Sequence, residues 1–316
     1  MELREIGDVG INPLAGTRYT ALRLIGGGSS SEVYDAAGPG GLRFAVKVLR
    51  TALAGTREAV FRLEQEARVL SSLQHPNLVR VLDVGLTPDG RPFFVMPRLS
   101  GETLRQRLRR EGPLAPALAC SLLGGMLEGL DRAHEQGIVH RDLKPANLFL
   151  VARPRVIGGA GRPIVERPVE RCVLLDFGIA KHPHMAGDPT TGAHMIGTPR
   201  YLAPEQILGG RVDARTDVYA AGLVLFEMVT GESPFDAKDP IDLMHAHLEV
   251  APRRLGQRAH VSWELAHAVG RALEKRPDRR WPSARAFAAV IERAAACELL
   301  RAQPGPYDSE PLREVA

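Results

Sequence analysis

Two apolar periods run along the chain, and the change from one to the other divides it. Between residues 19 and 49, short alternating runs (Leu22, Leu24; Val33, Tyr34; Phe44, Val46, Val48) are separated by glycine clusters, a pattern that predicts β-hairpins. Over residues 57–73 the spacing shifts to three and four. Val60, Leu63, Ala67, Leu70 and Leu73 then recur as one face of a helix. His75-Pro76-Asn77 ends it, and two further apolar runs, 78–84 and 93–96, flank the turn residues Pro88-Asp89-Gly90. The reading is a small, mainly β unit over 19–98, after a lead-in at 1–18 that has no sustained period.

Beyond Leu99 the pattern is helical, with amphipathic stretches at 116–136, 217–230, 239–249, 263–274 and 283–298. Strand-like islands at 138–150 and 173–180 interrupt it. Between them, residues 151–172 are rich in Arg, Pro and Gly and read as an exposed loop or an extended hairpin. This second unit spans 99–296, and residues 297–316, with Pro304, Pro306 and Pro311, read as a tail. No internal repeat is present.

Composition narrows the class. A chain of 316 residues, 44% hydrophobic and 25% charged, can bury a proper core. Its longest apolar stretch, around 218–226, is far short of the roughly 18 residues that a membrane-spanning helix needs. No basic and apolar leader opens the chain, so a cytoplasmic protein is expected. Cys120, Cys172 and Cys297 lie far apart without CxxC spacing, which argues for reduced thiols rather than a zinc site or disulfides. The net charge is +4, and no basic block with interleaved aromatics suggests a nucleic-acid partner. Of 41 basic side chains only Lys47, Lys144, Lys181, Lys238 and Lys275 are lysines. Where nearly every surface cation is Arg, a retained Lys points to compact point-charge chemistry.

Four motifs carry that chemistry. Ile25-Gly26-Gly27-Gly28 lies between two predicted strands, without the Gly-Lys-Ser/Thr of a Walker loop and without a following helix. Glycines at 26 and 28 let backbone N–H groups approach a triphosphate, although a glycine cluster between strands is also an ordinary hairpin. Ala45-Val46-Lys47 follows on the next strand, 19 residues after Gly28. A carboxylate on the succeeding helix can cross to that ammonium; Glu66 is one candidate and Glu64, on another face, is the competitor. His140-Arg141-Asp142-Leu143-Lys144-Pro145-Ala146-Asn147 is the most specific signal. It gathers a carboxylate, an ammonium and a metal-binding amide around one point, as phosphoryl transfer to a hydroxyl requires. Asp176-Phe177-Gly178, after the apolar run 173–175, offers a second oxygen ligand for a hard cation.

With these motifs in order, the sequence resembles the Hanks-type, or eukaryotic-like, serine/threonine protein kinases of bacterial type over residues 19–291. Gly197-Thr198-Pro199-Arg200-Tyr201-Leu202-Ala203-Pro204-Glu205, Asp217-Val218-Tyr219-Ala220-Ala221-Gly222 and Arg280 extend the match. The resemblance implies an α+β, bilobal protein kinase fold: a five-stranded antiparallel N-lobe sheet with one helix, then a mainly helical C-lobe. It also implies ATP and Mg²⁺ as cofactors, with Mn²⁺ an alternative, and protein substrates. Gly26 and Gly28 would cover the phosphates, Lys47 would contact them, and Glu66 would anchor Lys47. Ile25, Val33, Ala45 and Phe149 would line the adenine site together with Met96, Pro97 and Leu99, with Leu99 supplying an N–H. Asp142 and Lys144 would act at the transferred group, Asn147 and Asp176 would hold the metal, and Thr198 would line the acceptor site. Glu205 would pair with Arg280, and Asp217 would brace the catalytic loop.

Three departures from the family pattern stand out. Ser31 replaces the third glycine of the loop, Pro97 follows Met96 where Glu is common, and 28 residues separate Asn147 from Asp176, a longer interval than usual. The surplus is the 151–172 stretch. Lys144-Pro145 and Thr198 match the Ser/Thr class rather than the tyrosine class. Regulation is expected at Thr190 or Thr191, where a phosphate would meet Arg141, and autophosphorylation through a transient homodimer is a further expectation. A pseudokinase would have lost Lys47, Asp142 or Asp176, and a small-molecule phosphotransferase would lack the 197–205 segment.

Overall fold

The computed structural model describes residues 12–157, 164–177, 199–237 and 239–301, with the backbone alone at 152–157 and 164–169. Alternating residues at the start of the described chain form β1 (Thr20–Gly27), β2 (Ser31–Ala37) and β3 (Arg43–Leu49). They are joined by β4 (Asp83–Leu86) and β5 (Pro92–Pro97) in one antiparallel sheet of order β1-β2-β3-β5-β4. The expected turn closes β4 to β5: the Gly90 N–H donates to Thr87 O at 2.8 Å, and Gly90 takes the positive φ of 80° that favours glycine.

One face of the sheet carries a core of Tyr19, Ala21, Ala36, Val46, Val48, Phe93 and Val95, with Tyr34 and Phe44 packed against it. Leu14 also belongs to this core and is fully buried. The segment before β1 therefore contributes to packing despite its lack of a period. Helix α1 (Arg57–Ser72) buries Leu63, Glu66, Ala67 and Leu70, the face expected from its three-and-four spacing.

A second sheet has the order β6 (Gly101–Thr103), β7 (Leu148–Ile157), β8 (Ile164–Leu174). The long interval between Asn147 and Asp176 is thus an extended hairpin, paired as far as Ile157↔Ile164. Leu78 bridges to Leu174, and the Val79 N–H donates to Leu174 O at 2.9 Å, tying β8 to the segment after α1.

Contacts divide the chain into two compact units, Met1–Gln106 with Gly129–Gly197, and Arg107–Glu128 with Thr198–Ala316. This division groups residues 129–177 with the first sheet. The division falls within the sequences of α2 (Leu104–Glu111) and α3 (Pro116–His134). The second unit holds α4 (Pro204–Ile207), α5 (Ala214–Thr230), α6 (Pro240–Glu249), α7 (Trp263–Ala272) and α8 (Ala284–Arg301).

Helix α5 is buried on nearly every side, which marks it as the core helix of its unit. Its ends are set by chemistry: the Asp213 side chain accepts the Arg215 N–H at 2.8 Å, and Gly231 at φ 74° closes the C-terminus. Ser262 caps α7, and its own N–H donates to Glu298 on α8 at 2.6 Å. Among the described residues no helix is long and apolar enough to cross a membrane.

Candidate active site

Lys47 stands in the middle of β3, directly opposite Val33 on β2 and Phe94 on β5. Residues opposite one another share a face, as do residues two apart, so Val33, Ala45, Lys47, Phe94 and Met96 line one side of the sheet. Ala45 and Met96 are buried there, and Pro97 and Leu99 are half-buried at the end of β5. Lys47 Nζ reaches Glu66 Oε1 at 2.6 Å and Asp176 Oδ1 at 2.7 Å, and lies 5.6 Å from the Phe94 ring centroid. The competition on α1 is therefore settled by geometry: Glu66 faces Lys47 while Glu64 is exposed. Burial alone would lower the Lys47 pKa, but the charges of Asp176 and Glu66 outweigh it and hold the ammonium above its ordinary value. Burial pushes the Glu66 carboxyl up while Lys47 pulls it back.

The turn between β1 and β2 is closed by the Gly28 N–H donating to Ser31 O at 2.9 Å. Arg50 holds its far side, donating from Nε to Gly28 O at 2.8 Å. A methyl group added at Gly28 would meet nothing within 4 Å, and one at Gly26 would make only ordinary contact with Val33. Neither position has a positive φ. Crowding and backbone strain inside the chain therefore do not account for glycine at 26 and 28. Ile25 is half-buried at the end of β1.

The catalytic-type loop begins at buried His140, whose Nδ1 accepts the Asp142 N–H at 3.2 Å and whose ring lies 5.0 Å from Phe177. Arg141 adopts φ 67°, the one non-glycine residue in the left-handed region among the described residues. That kink presents Asp142. Lys144 Nζ lies 3.0 and 2.8 Å from the two Asp142 carboxylate oxygens. Asn147 spends its amide N–H groups on Asp142, at 2.9 Å to the backbone oxygen and 3.1 Å to Oδ2, which fixes where its own amide oxygen points. The Leu175 N–H donates to Asn147 O at 2.9 Å, joining this loop to the segment that bears Asp176.

Asn77 completes the scaffold, and the sequence had marked it only as the end of a helix. Its side chain donates to Cys172 O at 2.8 Å and its backbone oxygen accepts the Leu174 N–H at 2.8 Å, so it holds β8 just ahead of Asp176. Phe149, assigned to the adenine site, is half-buried on β7 opposite Thr103 and Val173. All of these residues belong to the first compact unit. Thr190, Thr191, Thr198 and Gly178 lie outside the described residues.

In the second unit the expected pair of Glu205 and Arg280 is present as a two-point bridge, 2.8 Å on each arm. Asp217, on α5, is fully buried.

Comparison with known proteins gives this constellation its class. Residues 19–290 match the protein kinase domain, and the chain belongs to that family. Similar curated proteins include bacterial serine/threonine-protein kinases. PknB of Mycolicibacterium smegmatis is 38% identical over 276 residues, covering 84% of this chain and 41% of that protein. Pkn1 of Myxococcus xanthus is 37% identical over 290 residues, covering 90% and 40%. The chain thus spans about two fifths of the length of the curated relatives it matches. Among solved structures, the Mycobacterium tuberculosis PknI kinase domain aligns with a TM-score of 0.65 and 27% identity, covering 90% of this chain and 99% of that one. The expected kinase fold is accordingly the fold of this chain.

Proposed function

We propose that this chain is an ATP-dependent protein kinase that transfers the γ-phosphoryl group to serine or threonine hydroxyls of proteins. The observation that carries the reading is the convergence, within one compact unit, of Lys47, Glu66 and Asp176 with the Asp142, Lys144 and Asn147 loop.

The residues fit Mg·ATP. Glycines at 26 and 28 that nothing in the chain requires leave room for the close approach of phosphates. The oriented amide oxygen of Asn147 and the half-exposed carboxylate of Asp176 are hard donors suited to Mg²⁺ or Mn²⁺. When bound, Mg·ATP supplies the transferable group and a cation that draws charge toward the leaving oxygen. Lys47 then offers an ammonium at the phosphates, held there by Glu66. Asp142, fixed by Asn147 and Lys144, orients the acceptor hydroxyl and receives its proton, while Lys144 steadies the negative charge beside it. Val33, Ala45, Met96 and Phe149 provide apolar surface for the base, with Ile25 at the rim and Pro97 and Leu99 contributing backbone groups. The acceptor side is assigned to Thr198 by the family resemblance alone.

Incubating the protein with labelled Mg·ATP and a generic Ser/Thr substrate tests the reading, and labelled phosphoserine or phosphothreonine is the expected product. Autophosphorylation on Thr190 first and Thr191 second, through a transient homodimer, would add a phosphate whose oxygens suit the Arg141 guanidinium. Mass spectrometry of protein incubated with Mg·ATP should find phosphate there. A Thr190→Ala/Thr191→Ala variant that keeps full activity would contradict an activating role. A cytoplasmic location belongs to the same reading.

A further inference from the structure

Residues 98–100 are all that joins β5 of the first sheet to β6 of the second. Both ends of this linker are constrained. Pro97 has no N–H to offer. Gly101 takes a φ of 145°, and a methyl group there would fall 1.9 Å from Leu150 O, so only glycine lets β6 approach β7.

The middle of the linker is held by a charge cluster that none of the recognised motifs includes. Asp35, on β2, has a side chain only 2% exposed, and it is ringed by three arginines. Arg23 Nε lies 3.1 Å from Asp35 Oδ2, Arg43 reaches both carboxylate oxygens at 3.0 and 2.6 Å, and Arg98 Nε stands 3.4 Å from Oδ2 as an ion pair without a hydrogen bond. Burial pushes the Asp35 carboxyl up, and the hydrogen bonds from Arg43 and Arg23 with the charge of Arg98 more than reverse that, so it stays ionised. Arg23 and Arg43 already fill most of what one carboxylate can accept. Arg98 is therefore surplus to the needs of Asp35, and its other arm explains its place: Nη1 donates to the backbone oxygen of Leu99, inside the linker. Asp35, Ala45 and Met96 also stand in one lateral row across β2, β3 and β5, so the anchor lies on the sheet face assigned to the nucleotide.

We propose that Asp35 and Arg98 form a clamp that presets residues 98–100 for nucleotide binding. They are positioning residues, since they act through the linker backbone. The inference rests on the ATP-binding reading above. A linker already fixed in its binding geometry spares the nucleotide the cost of selecting a minor conformer.

The test measures equilibrium binding of a fluorescent ATP analogue together with steady-state kinetics. Arg98→Met should raise the nucleotide Kd and the KM for ATP by about five- to tenfold, leaving kcat at saturating ATP and the KM for protein substrate within about twofold. Asp35→Asn should act in the same direction. Arg43→Met removes an Asp35 partner but no link to Leu99, and it should leave Kd within about twofold. In nucleotide-free protein, hydrogen exchange at residues 98–100 should be faster in Arg98→Met than in wild type. This readout needs neither ATP nor activity, so it separates failure of the clamp from failure of the kinase reading. Unchanged Kd and unchanged exchange in Arg98→Met would overturn the proposal. So would an equal loss of affinity in Arg43→Met, which would show a general effect on the sheet.

Discussion

Two buried charge clusters, one in each compact unit, are built on opposite plans. Arg280 is closed. Its guanidinium is fully buried and all five N–H groups are matched: two to Glu205 and the others to the backbone oxygens of Glu274, Arg215 and Lys275. Its Cζ lies 4.7 Å from the Tyr219 ring centroid, and Thr216 adds a hydrogen bond to Glu205 at 2.7 Å. Lys47 is open. One ammonium is shared by two carboxylates, and the Asp176 side chain is 44% exposed. A planar, rigid guanidinium suits a lock, and a compact ammonium on a flexible stem suits chemistry. In a chain with 36 arginines and five lysines, this use of Lys at 47 and 144 is a physical choice rather than compositional drift.

The largest effect expected from breaking this comparison is on stability. Arg280→Ala leaves Glu205 buried without its partner and should cost about 3–5 kcal/mol in urea unfolding, with Arg280→Lys recovering only part of it. A loss below about 1 kcal/mol would mean that the bridge is not the lock described here. Lys47→Met should do the converse, reducing phosphotransfer at least about a hundredfold while the protein stays folded. Its two carboxylates can relax by taking up a proton on Glu66, whose carboxyl burial already pushes up.

The sign of pH dependence sharpens the contrast. Buried His247, in contact with Tyr219 and Phe235, has its pKa lowered to about 4 by burial and then by the charge of Lys275. The unfolded chain therefore binds a proton that the folded one refuses between about pH 6.5 and 4. Stability should be complete above about pH 6.5 and fall as pH drops through that window, and His247→Asn should flatten the slope. Urea midpoints at pH 7 and pH 5 would check it, and an unchanged slope in the variant would assign the acid sensitivity elsewhere.

How much of this was legible in the sequence depends on how local each signal is. The sheet and α1 follow from period and turn residues, which act over a few positions, whereas residues 151–172 could be read only as an exposed loop or an extended hairpin until their pairing decided between the two. Asp142, Lys144 and Asn147 sit within one short loop, so their spacing alone brings them together. Glu66 could be narrowed to two candidates by helix geometry, and only the packing of α1 on the sheet turned it, rather than Glu64, toward Lys47. Leu14 was invisible because one leucine in a segment without a period carries no signal, yet tertiary packing buries it completely. Asp35 reads as an ordinary polar strand residue, since its three arginines come from β1, β3 and the linker after β5. Asn77 looked like a helix stop, because its partners at 172 and 174 lie nearly a hundred residues away.

The smallest effect is expected in the hairpin. Replacing residues 153–171 with a short Gly/Ser turn should leave kcat within about threefold, because shortening a paired hairpin beyond its anchored base changes little at that base. Collapse of activity in a folded variant would make the hairpin a docking or regulatory element.

The central claim is that the Asp142 loop and the Lys47 cluster together perform phosphoryl transfer. The most direct measurement is single-turnover transfer from labelled Mg·ATP to a Ser/Thr substrate by wild type and Asp142→Asn, with nucleotide affinity measured on both. The account predicts transfer by wild type and at least about a hundredfold slower transfer by Asp142→Asn at similar nucleotide affinity. Equal rates in the two proteins, or no transfer by a wild type that binds Mg·ATP, would contradict it.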